Sequence, residues 1–307
     1  MEVFILGSGP SSAIPSIRCL LNDKDCAVCH EAYANPLSKN RRNNPSLLIR
    51  YNGANVLIDC GKTFRESVLK VFPPHQVLSL DAVVLTHGHA DACLGMDDLR
   101  ELQVFKTTRS NEIGEAQKIA DEPLYVHCHA RTQAEVFSKF DYLMVKKDAV
   151  VNTKAAYRWT AKLDWKLFQD FEIFSAAGIE IQALPVLHGR DYVSNGFEFG
   201  MEVGKRFVYI SDVTDITEET MTVLLDGEKG PIDVLVIDSL YWEDIHGTHM
   251  NFQDAKQAIE RLQPRKTYLT GMSHEFDYEK HNVVVKSICA KMDLDVEMAF
   301  DGLQIIL

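Results

Sequence analysis

Apolar residues along the chain come in short runs separated by Gly, Asn, Asp and Ser, the pattern of many short strands joined by turns. Residues 3–6 predict a strand that runs into the turn-rich Gly7-Ser8-Gly9-Pro10-Ser11-Ser12. Strands at 46–51 and 55–59 flank Asn52-Gly53, the strongest short signal for a hairpin. The unbroken apolar run 82–85 predicts a strand covered on both faces. Further strands are predicted at 172–174, 179–184, 234–238 and 266–269, and 197–203 with 206–210 should form a hairpin across Gly204-Lys205. Helical periodicity marks 63–71, 217–225, 252–262 and a final helix from about 279 to 292. From about 105 to 167 the pattern is weak, with a strand-like 124–126, a helix-like 132–140 and a polar stretch holding two Trp. We read it as an insertion or elaborated connection inside one domain spanning 1–307. Hairpins first, then alternating strands and helices, imply an α/β architecture of sheets covered by helices.

Composition narrows the function classes. Hydrophobic residues make up 46% and charged residues 25%, as in soluble proteins with a substantial core. The net charge of −12, from 44 acids and 32 bases, argues against a nucleic-acid groove as the main surface. No run approaches the roughly 18 apolar residues of a membrane span, and the N-terminus lacks the basic start of a signal peptide. The expected location is cytoplasmic. Seven cysteines are an odd count for a disulfide framework. Three of them, Cys19, Cys26 and Cys29, cluster, which in a reducing compartment points to metal ligation. Cys60, Cys93, Cys128 and Cys289 stand alone and read as small buried apolar residues.

The chemistry gathers at strand ends. Thr86-His87-Gly88-His89-Ala90-Asp91 follows the strand at 82–85, so two imidazoles at spacing two can face one ion. His127-Cys128-His129 repeats the spacing but lies in a strand, where burial explains it equally well. His188 ends the strand beginning at 179, Asp212 ends that at 206–210, and Asp59 ends that at 55–59. A sheet fixes backbone position while the loop beyond frees the side chain, so an ordered set of this kind marks a site.

In this order the chain resembles the metallo-β-lactamase superfamily. Gly7-Ser8-Gly9, the cysteine cluster, Arg42-Asn43-Asn44-Pro45-Ser46-Leu47-Leu48-Ile49 and Thr270-Gly271-Met272-Ser273-His274 make it similar to the tRNase Z-like branch, and most of all to the cyclic phosphodiesterases of phosphonate metabolism. The resemblance implies a four-layer αββα sandwich. It implies catalytic-metal ligands His87, His89, His188 and Asp212, with Asp91 beside them, and His249 as proton donor. It also implies a structural zinc on Cys19, Cys26, Cys29 and His274, and a homodimer.

Two departures bear on the metal count: Ala92 and Gly271 stand where the family carries histidines for a second ion. We expect one catalytic ion, zinc or manganese, with weak second binding through Asp91, Asp212 and Asp97 or Asp98 as the alternative. Asp91 or Asp212 would orient the attacking water. Arg100 and Arg190 could grip a phosphate but read as surface residues. The expected activity is metal-dependent hydrolysis of a small phosphodiester, cyclic ones included; the absence of a basic, Gly-rich arm argues against RNA. The rivals are a metal-binding pseudoenzyme or ligand sensor, motivated by Ala92 and Gly271, and an iron-dependent oxygenase, which a third histidine disfavours.

Overall fold

The alternation within the first strand sets the architecture. In β1 (Glu2–Gly7), Val3 and Ile5 enter one buried apolar cluster while Phe4 and Leu6 enter another. Neighbouring side chains of a strand point to opposite faces, so this sheet is covered on both sides. The protein is described here from a computed structural model covering residues 1–23, 25–109, 116–120, 122–143 and 161–307, with 105–109 and 116–120 given by backbone alone.

After β1 come two short helices, α1 (Ile17–Asn22) and α2 (Ala27–Ala34), then β2 (Ser46–Tyr51) and β3 (Ala54–Ile58). Asn52 and Gly53 between them both take positive φ, as a type I′ hairpin turn requires. Next are α3 (Phe64–Val71), β4 (Ala82–Val84), α4 (Ala90–Cys93), a separate hairpin of β5 (Phe105–Arg109) and β6 (Ala116–Ala120), β7 (Leu124–His129), α5 (Ala130–Lys139) and β8 (Leu163–Phe168). The second half holds β9 (Ile173–Ala176), β10 (Ile179–Leu187), β11 (Val193–Phe199), β12 (Phe207–Ile210) and α6 (Glu218–Leu224). Last come β13 (Val234–Asp238), α7 (Phe252–Leu262), β14 (Lys266–Thr270), α8 (Tyr278–Ala290), β15 (Val296–Met298) and β16 (Gln304–Ile306).

Two seven-stranded mixed sheets result, ordered β16-β1-β2-β3-β4-β7-β8 and β15-β14-β13-β12-β11-β10-β9. Val3, Ile49, Val56 and Val84 from the first meet Ile181, Phe197, Tyr209 and Val236 from the second in one core. Behind the first sheet, Phe64, Val71 and Val136 of α3 and α5 cover Phe4, Leu57 and Val83. Ala255, Ile259 and Leu262 of α7, with Val285 and Cys289 of α8, pack with the second. This is the αββα sandwich expected. Among the described residues no helix is long and apolar enough to cross a membrane.

Several local expectations need correction. The stretch 105–167 is not merely an insertion, since β7 and β8 extend the first sheet in parallel beside β4. β8 escaped notice because it is an edge strand whose middle is polar and partly exposed. Of that stretch, 110–115, 121 and 144–160 lie outside the described residues. The cysteine segment, for which no element was predicted, holds α1 and α2. The strand expected at 197–203 stops at Phe199, because Gly200 and Gly204 take positive φ around a single helical turn. β15 and β16, of three residues each, are too short to show a period.

A buried polar knot joins the chain's distant parts. Asp301 accepts from Ser8 N and Oγ (both 2.9 Å) and from Asn43 N (2.7 Å). The fully buried Arg42 donates to the Ser273 and Phe276 carbonyls at 2.9 and 2.7 Å. A buried donor left without an acceptor costs about 1–3 kcal/mol. Asp301→Ala strands three donors and should therefore lower unfolding free energy by on the order of 3 kcal/mol or more, measured by urea denaturation.

Candidate metal centre

Asp59, just past β3, takes a left-handed φ of +60. It is buried, and its carboxylate accepts from Thr86 N at 2.9 Å and from the Thr86 hydroxyl at 2.6 Å. Ser46 Oγ donates to the Asp59 carbonyl at 2.8 Å. Asp59 thus acts behind the loop as its anchor, and the strained backbone is held by these bonds. Because the Thr86 hydroxyl donates to Asp59, its lone pair is left to accept from His87 Nδ1 at 2.8 Å. That relay fixes the tautomer and leaves a lone pair on His87 Nε2.

His188 is set by the same logic. Its Nδ1 lies 2.7 Å from the Thr248 carbonyl, which can only accept, so Nδ1 carries the proton and Nε2 is free. His89 is the exposed member of the set and stacks on Tyr192, with ring centres 4.5 Å apart and planes at 20°. The Tyr192 hydroxyl donates to Glu135 at 2.9 Å and accepts from Gly88 N at 3.2 Å. Asn195 on β11 gives both N and Nδ2 to the Thr86 carbonyl, at 3.1 and 2.9 Å, tying the second sheet to the histidine loop of the first.

The donor atoms converge. Those of His87, His89 and His188 lie within 4.8 Å of one another, as do those of His188, Asp212 and His249. His87 Nε2 and Asp212 Oδ1 are buried without a hydrogen-bond partner. Burial pushes His87 down to about 3, which keeps the imidazole neutral. Asp212 is buried too, yet His87, His249 and His188 hold its carboxyl below the usual range. The Asp91 carboxylate stands 3.9 Å from His87 Nε2, and burial and then Asp212 raise its pKa. Imidazole nitrogens and carboxylate oxygens gathered this closely, with buried lone pairs unsatisfied, are the donor set of a divalent cation. The fit is good.

Other candidates lie elsewhere. Asp97 binds Arg100 at 3.1 Å and the Tyr142 hydroxyl at 3.0 Å, Asp98 faces Arg65 at 3.6 Å, and Arg190 is exposed. His127 stacks on Phe174 at 5.3 Å as a buried sheet residue. Cys60, Cys93, Cys128 and Cys289 are all buried thiols.

Sequence reasoning missed Asp238. This fully buried residue ends β13 and accepts from His249 Nδ1 at 2.7 Å. Burial opposes charge on His249, but the Asp238 carboxylate holds it up to about 9. The signal was available, since Asp238 closes a wholly buried apolar strand by the same strand-end rule that picked out Asp212. Gly271, read as a missing ligand, has φ +71, and a Cβ there would lie 2.2 Å from Asp238 Oδ1. A histidine restored at 271 would have to displace Asp238.

Fold and site together define an αββα sandwich whose cleft carries a metal donor set. The chain belongs to the β-lactamase superfamily, whose domain description matches residues 54–272. It is 26% identical to a crystal structure of a diphosphatase from the PhnP family, with a TM-score of 0.74 over 99% of this chain and 96% of that one. It is 26% identical over 252 residues to a ribonuclease Z of Clostridium acetobutylicum, covering 82% of this chain and 72% of that protein. An octanoyltransferase of Porphyromonas gingivalis is 24% identical over all of this chain, which spans only 52% of that protein's length. These relatives place the chain in the tRNase Z-like, PhnP-like branch of the metallo-β-lactamase hydrolases.

A second donor cluster lies at the N-terminal helices. Cys19 sits on α1, Cys26 caps α2 and Cys29 follows three residues later on the same helical face. His274 Nδ1 is 3.3 Å from Cys19 Sγ and 3.1 Å from Cys26 Sγ, and all four donor atoms lie within 4.8 Å of one another. Tetrahedral zinc with Zn–S near 2.3 Å and Zn–N near 2.0 Å would set S and N about 3.5 Å apart. Burial pushes Cys29 up to about 12, a cost that a cation removes by taking the thiolate. Purified protein should hold one zinc here, seen as Zn–S scattering near 2.3 Å by X-ray absorption. Cys29→Ser should release that zinc and lower the melting temperature by roughly 5 °C or more, at about 2–4 °C per kcal/mol for a large domain. Metal in the cleft should be unaffected.

Proposed function

We propose that the cleft hydrolyses small phosphodiesters with one divalent ion, zinc or manganese. The observation that carries this reading is the pair of donor triads, His87–His89–His188 and His188–Asp212–His249, that share His188, with His87 Nε2 and Asp212 Oδ1 buried and unpaired. When bound, such an ion lowers the pKa of water from about 15.7 towards 7 and polarises a phosphoryl oxygen. His87, His89 and His188 would hold it, together with Asp212.

The chain's own groups supply the rest. Asp212 and Asp91 form an acidic pair that can orient the attacking water and accept its proton. His249, protonated and fixed at Nδ1 by Asp238, has Nε2 free to donate to the departing oxygen. A phosphodiester ester oxygen is a poor leaving group unless protonated, which is the service a general acid performs. The cleft therefore holds a proton acceptor and a proton donor of separate chemistry. The PhnP-family neighbour is a diphosphatase, so a phosphoanhydride belongs in the substrate panel. A small substrate in the cytoplasm and a homodimeric protein complete the proposal.

Metal-replete wild type should hydrolyse bis-p-nitrophenyl phosphate, whereas His87→Ala should lose one equivalent of metal and all measurable turnover with its circular dichroism unchanged. His249→Ala should slow diesters with poor leaving groups by about 10²–10⁴-fold while sparing those with good ones. Equal losses on both would remove His249 from the acid role. Turnover of no phosphodiester or phosphoanhydride by the wild type would leave a metal-binding pseudoenzyme.

A further inference from the structure

The segment between β13 and α7 is a loop stitched at its base and open at its tip. Leu240 N donates to the Met250 carbonyl at 2.8 Å, and Phe252 N donates to the Tyr241 carbonyl at 2.9 Å. Between these ends Ile245 is 90% exposed, and His246 is exposed beside it. Thr248 ties the loop to the cleft. Its carbonyl takes the His188 Nδ1 proton at 2.7 Å. Its N–H and its hydroxyl meet Nδ1 of His246 at 3.3 and 3.1 Å. A backbone N–H can only donate, so Nδ1 of His246 holds a lone pair and the neutral ring carries its proton on Nε2. One residue thus sets two histidines in opposite tautomers: His188 offers a lone pair, and His246 offers a proton.

The three rings stand in a row. His188 and His249 have centroids 5.0 Å apart, and His249 and His246 have centroids 5.3 Å apart. Exposure rises along it: His188 is buried, the His249 side chain is 12% exposed, and His246 is exposed. The row leads from the metal donors, past the proton donor, to the mouth of the cleft. Tyr241 meets the His246 ring edge-on at 5.8 Å and limits its swing. In the proposed hydrolysis the departing oxygen takes its proton from His249, which puts the group attached to that oxygen on the His246 side. We propose that His246 binds the leaving group, its Nε2–H donating to an acceptor oxygen that the leaving group carries beside the scissile bond, either a hydroxyl or a phosphoryl oxygen.

This inference rests on the phosphodiesterase reading for its kinetic arm alone. In zinc-loaded protein, nitrogen-15 histidine spectra should show His246, assigned by its loss in His246→Ala, as the Nε2–H tautomer. Methylenediphosphonate resists hydrolysis and can set one phosphonate at the metal and the other at His246. It should bind about tenfold more weakly to His246→Ala, whereas inorganic phosphate, which reaches the metal alone, should weaken by less than about twofold. In kinetics, His246→Ala should cut the preference for an acceptor-bearing leaving group over bis-p-nitrophenyl phosphate by about tenfold in kcat/KM. His246→Gln, whose amide still donates, should recover part of that preference. A glycerol-linked diester tests the hydroxyl source and a phosphoanhydride tests the phosphoryl source; a preference unchanged on both would overturn the proposal. So would the Nδ1–H tautomer, or equal weakening of methylenediphosphonate and phosphate. Zinc content should match wild type in both variants, and one lost zinc equivalent in His246→Gln would make His246 part of the metal centre instead. Wild type that binds methylenediphosphonate through His246 but turns over no diester or anhydride would sink the phosphodiesterase reading and leave the binding role standing.

Discussion

Each buried imidazole of the cleft commits one nitrogen to the protein and leaves the other facing its neighbours. Thr86 takes Nδ1 of His87, the Thr248 carbonyl takes Nδ1 of His188 and Asp238 takes Nδ1 of His249. Burying a ring whose second nitrogen has no partner is unfavourable, so the arrangement persists only because the surrounding bonds over-determine it. The Asp59 anchor, the double bond from Asn195 and the Tyr192–Glu135 brace all serve that end. Much of the fold follows from the need to hold these rings still: two sheets whose strand ends open on one cleft, with each face sealed by helices.

The sheets make the positions and the loops make the chemistry. Asp59 and His87 follow the parallel neighbours β3 and β4 of one sheet, while Asp212 and Asp238 come from the parallel neighbours β12 and β13 of the other. Such crevices outside strand carboxyl ends are where open α/β sheets bind ligands. Here two sheets share one crevice, and bonds between them, such as Asn195 to the Thr86 carbonyl, fix their relative setting at the site itself.

Much of this was legible in the amino-acid sequence, for identifiable reasons. β4 is apolar throughout and β13 is apolar up to its closing Asp238, and α7 carries its apolar stripe between an Asn cap and Leu262, so their bounds were nearly right. The histidine loop and Asp212 stood out because each follows such a strand. Edge strand β8 and the three-residue β15 and β16 were not legible, since their pairing is dictated by partners distant in the chain. Asp238 was overlooked because it belongs to no motif, although it closes an apolar strand just as Asp212 follows one. Gly271 was read as the place of an absent histidine, and a one-dimensional pattern shows what is missing but not that the Asp238 carboxylate fills the adjoining space.

The N-terminal cysteine cluster and the Asp301 knot both join residues at opposite ends of the described fold. Cys19 and His274 are separated by 255 positions, and Ser8 and Asp301 by 293. Contacts so distant form late, since loop closure must precede any gain from them. The entropic cost of closing a loop rises only slowly with its length, so a tie across most of the chain restricts the unfolded ensemble more than a local one would. A zinc ion gripping α1, α2 and His274 would then act as a reversible cross-link. Its influence would fall first on the rate of unfolding, because a contact made after the folding transition state slows the escape from the native fold and leaves the folding rate nearly unchanged.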